Sequence, residues 1–90
     1  MQVNAEVAIR DQYTCLRCGR RGWDIGHILP KGRYPELKHT KKNLVTLCRR
    51  CHVDTENVRG RRELLALMTE RHGYTYDEDQ YRGYRNESQP

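Results

Sequence analysis

Residues 48–52 read Cys48-Arg49-Arg50-Cys51-His52 and residues 15–18 read Cys15-Leu16-Arg17-Cys18, so two Cys-x-x-Cys pairs flank a 29-residue segment. Two thiolates held two residues apart can turn onto one metal ion, and two such pairs complete a tetrahedral shell. A closed shell leaves no coordination position for water and therefore suits a structural ion. The four cysteines predict a structural Zn²⁺ site that holds the fold together.

The composition agrees with a fold that depends on such an ion. Ninety residues, of which 36% are hydrophobic and none is Phe, form one domain that cannot bury a large core. Zinc binding contributes directly to folding, by on the order of 10 kcal/mol or more. Two disulfides are the alternative, but the chain shows no signal-like apolar stretch and the paired spacing is typical of zinc. We therefore expect a cytoplasmic protein without a membrane span.

Positive charge is concentrated around the cysteines and histidines. The net charge is +5, but residues 17–62 hold thirteen Lys or Arg residues against four acids. Such a surface attracts polyanions through phosphate contacts and counterion release. A merely solvated charged face is the alternative interpretation. We predict a nucleic acid as the partner, with contacts from Arg33, Lys38, Lys41, Lys42, Arg49, Arg50, Arg61 and Arg62.

The hydrophobic pattern predicts a strand, a loop, a second strand and a helix around one site. We expect one domain over residues 1–76 and a charged, flexible tail over residues 77–90. The tyrosines of the last third are expected to pack on the domain or to be disordered, and Trp23 to be a core residue. The predicted elements are a helix over 3–10, a strand over 22–29, a basic loop over 31–42, a strand over 43–47, and helices over 52–58 and 61–72.

Two histidines lie where the predicted elements converge. His27 stands at the end of the first long strand and His52 at the start of the helix that follows the second Cys pair. Hydrolysis of a phosphodiester needs a base that activates water and a cation that stabilises charge on the phosphate. A histidine with a pKa near ~6.5 can accept a proton at cellular pH. A catalytic pair is the functional interpretation, whereas a structural His27, or a His52 that replaces a thiolate in the zinc shell, is the alternative.

The segment from Cys15 to Glu56 resembles the HNH endonuclease family. The resemblance rests on His27 followed by Ile28-Leu29-Pro30, on Asn43 followed by Leu44-Val45, and on Cys48-Arg49-Arg50-Cys51-His52. It implies an α+β fold with a small zinc-stapled ββα-metal core and flanking helices. It further implies that His27 is the general base, that Asn43 orients His27, and that His52 binds a catalytic divalent ion such as Mg²⁺, Mn²⁺ or Ni²⁺.

One position departs from the family pattern. Many members carry Asp or His immediately before the base as a second metal ligand, but this chain has Gly26 there. Asp24 lies two residues earlier on the same side of the strand, and Glu56 lies one helical turn after His52, so the two carboxylates are competing candidates. We slightly prefer Asp24. The Asp-x-Gly-His arrangement, with Pro35-Glu36-Leu37 downstream, is also similar to phage recombination nucleases of the NinG/Rap type.

These features predict a metal-dependent DNA endonuclease that nicks DNA with little sequence specificity and is phage-encoded. The alternative is a zinc-dependent nucleic-acid-binding module that cuts nothing, with His27 and His52 structural. One site engages one strand at a time, so double-strand cutting would need a dimer, a second encounter or a partner protein. The sequence leaves the oligomeric state open.

Overall fold

The computed structural model describes residues 3–84, which form a two-stranded sheet and three α-helices. The helices are α1 (Val3–Arg10), α2 (Arg49–Asp54) and α3 (Val58–His72), and the strands are β1 (Asp24–His27) and β2 (Leu44–Leu47). Short 3₁₀ turns occupy Pro35–Leu37, Lys41–Asn43 and Arg82–Tyr84. This mixed fold with clustered cysteines confirms the predicted fold class. Among the described residues, no helix combines the length and apolar character that crossing a membrane requires.

The sheet is an antiparallel pair in which Asp24 lies opposite Leu47 and His27 lies opposite Leu44. All four residues of β2 are buried, because α1 packs against this strand and the rest of the core surrounds it. β1 is shorter than the predicted strand over 22–29. Gly26 is the buried residue among its four. The pairing of β1 with β2 brings the hairpin that carries Cys15 and Cys18 beside the start of α2.

The helical region after β2 is divided into two helices. Cys48 caps α2, since its Sγ accepts a hydrogen bond from the Cys51 amide at 3.4 Å. The chain turns at Thr55, and the side chain of Asn57 caps α3 by accepting from the Gly60 amide at 2.7 Å. A Cβ at Gly60 would lie 2.3 Å from Cα of Thr55, so only glycine allows the two helices to meet here. The helices predicted over 52–58 and 61–72 therefore each begin three residues later than the observed α2 and α3.

A buried carboxylate ties three elements together. Asp11 accepts hydrogen bonds from Arg10 Nη2 at 2.6 Å, from His72 Nε2 at 2.9 Å and from the Thr46 amide at 3.2 Å. Burial raises the pKa of Asp11, but the hydrogen bonds from Arg10 and Thr46 outweigh burial and lower it below its usual range. The ionised carboxylate therefore links α1, β2 and the end of α3.

The chain after α3 folds back onto the domain. Gly73 ends α3 in the left-handed conformation with φ of 69°, which a residue without a Cβ adopts at little cost. Tyr81 is only 1% exposed and belongs to the main hydrophobic cluster. Tyr81 therefore packs on the domain, whereas the flexibility of the tail stays a prediction. Residues 85–90 of that tail and residues 1–2 lie outside the described residues.

Trp23 is not in the core. Its side chain is 70% exposed, so the expectation that it packs inside is wrong. The residue stands just before β1, on the outer side of the hairpin formed by residues 13–22. The alternating pattern of the predicted strand suggested burial, but the close approach to Leu47 is made by Gly22 instead, where an added Cβ would lie 3.0 Å from Leu47 backbone atoms.

Candidate functional site

The four cysteines converge on one point between the first hairpin and α2. Their Sγ atoms all lie within 4.8 Å of one another, and Cys18 and Cys48 are 3.8 Å apart. Zn–S bonds of about 2.3 Å in a tetrahedron place sulfur atoms about 3.8 Å from each other, so the cluster has the right size for zinc. The four thiolates form a closed structural site, as the sequence predicted.

The thiols show why this cluster suits a cation. The amide of Cys51 donates to the Cys48 sulfur, and this hydrogen bond lowers the pKa of the Cys48 thiol to about 7. Burial instead raises the pKa of the Cys51 thiol to about 12. Four thiolates cannot remain ionised together at neutral pH unless a positive ion compensates them. His52 lies outside this ligand group, since the described cluster of potential ligands consists of the four cysteines.

A cleft of about 300 Å³ lies between the end of β1 and the helices. It brings together the two histidines that the sequence singled out, although they are 25 positions apart along the chain. A carboxylate and two cationic side chains complete its polar lining. The residues that argue for chemistry are His27, Lys31, His52, Glu56 and Arg61, and the wall between them includes Gly26.

His27 is placed as a base at the end of β1. Its Nε2 lies 3.3 Å from the carbonyl oxygen of Lys38, and a carbonyl can only accept, so Nε2 carries the proton and Nδ1 keeps a free lone pair. Burial lowers the pKa of His27 below 6.5; the Lys38 hydrogen bond opposes the shift, while nearby Lys31 and Arg61 add to it. A neutral imidazole with an available nitrogen can accept a proton at cellular pH.

Asn43 fixes the backbone that follows His27. Its Oδ1 accepts from the Leu29 amide at 2.9 Å, and its Nδ2 donates to the Leu29 carbonyl at 3.1 Å. The carbonyl of Asn43 also accepts from the Ile28 amide at 3.0 Å. The side chain is completely buried, so these bonds replace contacts with water. Asn43 therefore braces the turn from β1.

Two further side chains support this turn and were not identified from the sequence. The hydroxyl of Tyr81 donates to Asn43 Oδ1 at 3.0 Å. Arg61 Nη1 donates to the carbonyl of His27 at 2.6 Å and to the carbonyl of Ile28 at 3.2 Å. Arg61 had been predicted only as a DNA contact. Neither role has a local signal, because each residue acts on a partner more than 30 positions away.

His52 is held by a carboxylate on one side and faces the cleft on the other. Its Nδ1 lies 2.9 Å from Asp24 Oδ2, and Nε2 lies 3.8 Å from Glu56 Oε2. Asp24 also contacts Arg49 Nε at 3.2 Å, and it is not part of the cleft lining. Both candidate carboxylates are thus near His52, but on opposite nitrogens of the ring.

Steric crowding explains why glycine stands at position 26. A Cβ at this position would lie 2.8 Å from Leu47 Cδ1 and 3.5 Å from His52 Cδ2. A longer side chain would therefore compete with the His52 ring for the space between β1 and α2. Position 26 therefore offers no metal ligand, and the His52 ring packs over the strand at this point.

The predicted DNA-contacting side chains divide into three groups. Arg33, Lys38 and Arg50 are exposed and, within residues 3–84, their side chains make no ion pair or hydrogen bond. Arg49 is exposed but paired with Asp24. The other four bond to the protein itself: Lys41 to Glu6 at 2.5 Å, Lys42 to the Thr75 carbonyl at 2.8 Å, Arg61 to the His27 carbonyl, and Arg62 to the Gly83 carbonyl at 3.1 Å.

Comparison with known families identifies the segment that contains this site. Residues 15–57 match the family model described as HNH endonuclease. No curated protein and no solved structure is significantly similar to the chain. The match starts at the first cysteine and ends just after Glu56, so it covers both Cys pairs, His27, Asn43 and His52. The resemblance inferred from these motifs is confirmed for this segment.

Proposed function

Because residues 15–57 form an HNH endonuclease domain, we propose that this protein hydrolyses phosphodiester bonds of DNA with the help of a divalent metal ion. One observation carries the proposal: a half-buried His27 shares a cleft with His52 and Glu56, whose Nε2 and Oε2 atoms lie 3.8 Å apart. A base and a cation-binding pair in one cleft are the two parts that phosphodiester hydrolysis requires. A nucleic-acid-binding module without activity would not need either part.

His27 serves as the general base in this proposal. Nδ1 takes a proton from a water molecule that enters the cleft, and the Lys38 carbonyl stabilises the imidazolium that forms, because it accepts from Nε2. Asn43 and Arg61 are positioning residues, since each bonds to the backbone beside His27. A lowered pKa keeps His27 ready to accept the proton at neutral pH.

We infer that His52 and Glu56 hold the catalytic ion. Metal-bound histidines commonly donate their second ring nitrogen to a carboxylate, which is the relation of His52 Nδ1 to Asp24. This contact supports Asp24 as an orienting residue and Glu56 as the ligand, in contrast to the slight preference derived from the sequence. Mg²⁺, Mn²⁺ or Ni²⁺ bound there supplies positive charge to the scissile phosphate and the leaving oxygen.

The substrate is proposed to be one strand of DNA, cut with little sequence specificity. Arg33, Lys38 and Arg50 present positive charge at the surface, and contacts of this kind are made to phosphates rather than to base edges. Lys31 and Arg61 line the cleft itself and favour an anionic group inside it. One such cleft nicks one strand at a time, so a double-strand break would need a second copy or a partner. A phage origin remains a prediction.

The test is nicking of supercoiled plasmid by the zinc-loaded protein. We expect conversion to the open circular form with Mg²⁺, Mn²⁺ or Ni²⁺, and no conversion after EDTA. His27→Ala should abolish the conversion with zinc content unchanged, whereas His39→Ala, which changes an exposed histidine of the loop between the strands, should not. A protein that binds plasmid but never nicks it with any of these ions would instead be the binding module.

A further inference from the structure

The single tryptophan of the chain lies on the surface, two positions before Ile25 of the cleft lining. Trp23 is 70% exposed, although an indole ring ordinarily gains by burial. The ring has two neighbours: the Tyr13 ring at 6.1 Å with an interplanar angle of 53°, and the guanidinium of Arg21 at 5.2 Å from the ring centroid. Trp23, Tyr13 and Arg21 have no role in the proposed hydrolysis.

The surface around Trp23 is held rigidly by the first Cys pair. The Cys15 amide donates to the Arg20 carbonyl at 2.6 Å, the Gly22 amide donates to the Tyr13 carbonyl at 2.9 Å, and residues 14 and 21 form an antiparallel bridge. Tyr13 adopts φ of 52°, a left-handed conformation that is uncommon for a bulky residue. Such a conformation costs free energy and places the Tyr13 ring next to the indole.

The position of Trp23 relates it directly to the catalytic base. Side chains at alternate positions of a strand share a face, so Trp23, Ile25 and His27 follow one another on one side of the extended segment. Ile25 and His27 both line the cleft. Four residues of strand cover about 13 Å, which corresponds to about four stacked nucleotides at ~3.4 Å each along one strand.

The charges around Trp23 select a nucleic acid as the occupant. Arg20 and Arg21 are exposed in the same hairpin, and Arg49 and Arg50 are exposed at the start of α2. Within the described residues, Arg49 alone of these four pairs with an acid, through Asp24. Stacking on an aromatic ring with a cation beside it is how proteins bind bases that are not paired in a duplex.

We propose that Trp23, flanked by Tyr13 and Arg21, stacks on an unpaired base of the DNA strand whose phosphate enters the cleft. The proposal deepens the endonuclease function and rests on it. It makes DNA with unpaired bases a few nucleotides from the cut the preferred substrate, because a fully paired duplex offers no free base face to the indole.

Intrinsic fluorescence tests the proposal directly, since Trp23 is the only tryptophan. The His27→Ala protein, which leaves DNA intact, is titrated with a gapped duplex and with a fully paired duplex of the same length. We expect the gapped duplex to quench the emission and to bind more tightly. In that background Trp23→Ala should weaken binding of the gapped duplex by about 5- to 150-fold, the range for a lost base stack, and Trp23→Phe by less. Val58→Ala, another exposed apolar residue, is the matched control.

Equal quenching by both duplexes, or unchanged affinity in Trp23→Ala, would overturn the proposal. Self-association that Trp23→Ala abolishes, with no change in DNA affinity, would assign the surface to a second copy and overturn it too. Nicking of plasmid by the parent protein tests the endonuclease assignment, whatever Trp23→Ala does to DNA affinity. Failure of the stacking proposal is therefore distinguishable from failure of the proposed function.

Discussion

Tyr81→Phe removes one hydroxyl from the buried contact between the C-terminal segment and Asn43. The lost bond is 3.0 Å long, and Tyr81 is 1% exposed, so water cannot replace it. Asn43 Oδ1 keeps its bond from the Leu29 amide, and no buried acceptor is left without a partner. The cost is therefore that of one neutral hydrogen bond, about 1 kcal/mol. For a domain of this size it corresponds to a decrease in Tm of about 4–8 °C.

The assay is urea unfolding of the zinc-loaded protein followed by far-UV circular dichroism, because Trp23 fluorescence reports an exposed site. Tyr34→Phe is the control, since Tyr34 packs against the same cluster and, within residues 3–84, its hydroxyl makes no hydrogen bond. Tyr81→Phe should lower the midpoint, while Tyr34→Phe should leave it nearly unchanged. Equal midpoints for the two variants would refute the reasoning that Tyr81 supports the turn beside the base.

Three further predictions concern the base, its neighbours and the zinc site. Arg61→Ala should reduce the cleavage rate on the order of 10²-fold, as displacement of a catalytic group by about 1 Å does. Arg62→Ala should mainly weaken DNA binding. Equal effects of the two variants on the cleavage rate would argue against a positioning role for Arg61. Cleavage should fall with acidity as His27 becomes protonated, and because its pKa is lowered, this fall should lie below pH 6.5, measured as kcat/KM against pH. Cys18→Ser should lose zinc by elemental analysis and lose cooperative unfolding, since zinc supplies on the order of 10 kcal/mol; retained zinc would show that three thiolates suffice.

The parts of the fold that were predicted correctly have local signals. The Cys-x-x-Cys spacing fixes the zinc site because two thiolates of one turn must face one ion. α1 was predicted at its observed bounds, and β2 to within one residue, because each is a short run with a clear apolar side. His27 and His52 were expected to converge for the same reason: the metal site holds together the segments that carry them.

The parts that were missed depend on contacts between distant residues. Trp23 has the pattern of a core residue, yet its side chain is 70% exposed and lies beside Tyr13 and Arg21. Arg61 looks like any other cation of a basic stretch, and only the fold directs it to the His27 carbonyl. The division between α2 and α3 depends on Gly60 meeting Thr55, which periodicity does not reveal. Asp24 and Glu56 have equally suitable spacing, and their difference lies in which nitrogen of His52 each one faces.

The most direct test of the central claim is anomalous diffraction from crystals of the zinc-loaded protein soaked in Mn²⁺, recorded on both sides of the manganese edge. We predict a manganese peak in the cleft within bonding distance of His52 Nε2 and Glu56, together with a zinc peak among Cys15, Cys18, Cys48 and Cys51. A cleft without manganese at saturating concentration, or a peak bound to Asp24 with His52 Nε2 unliganded, would contradict the account.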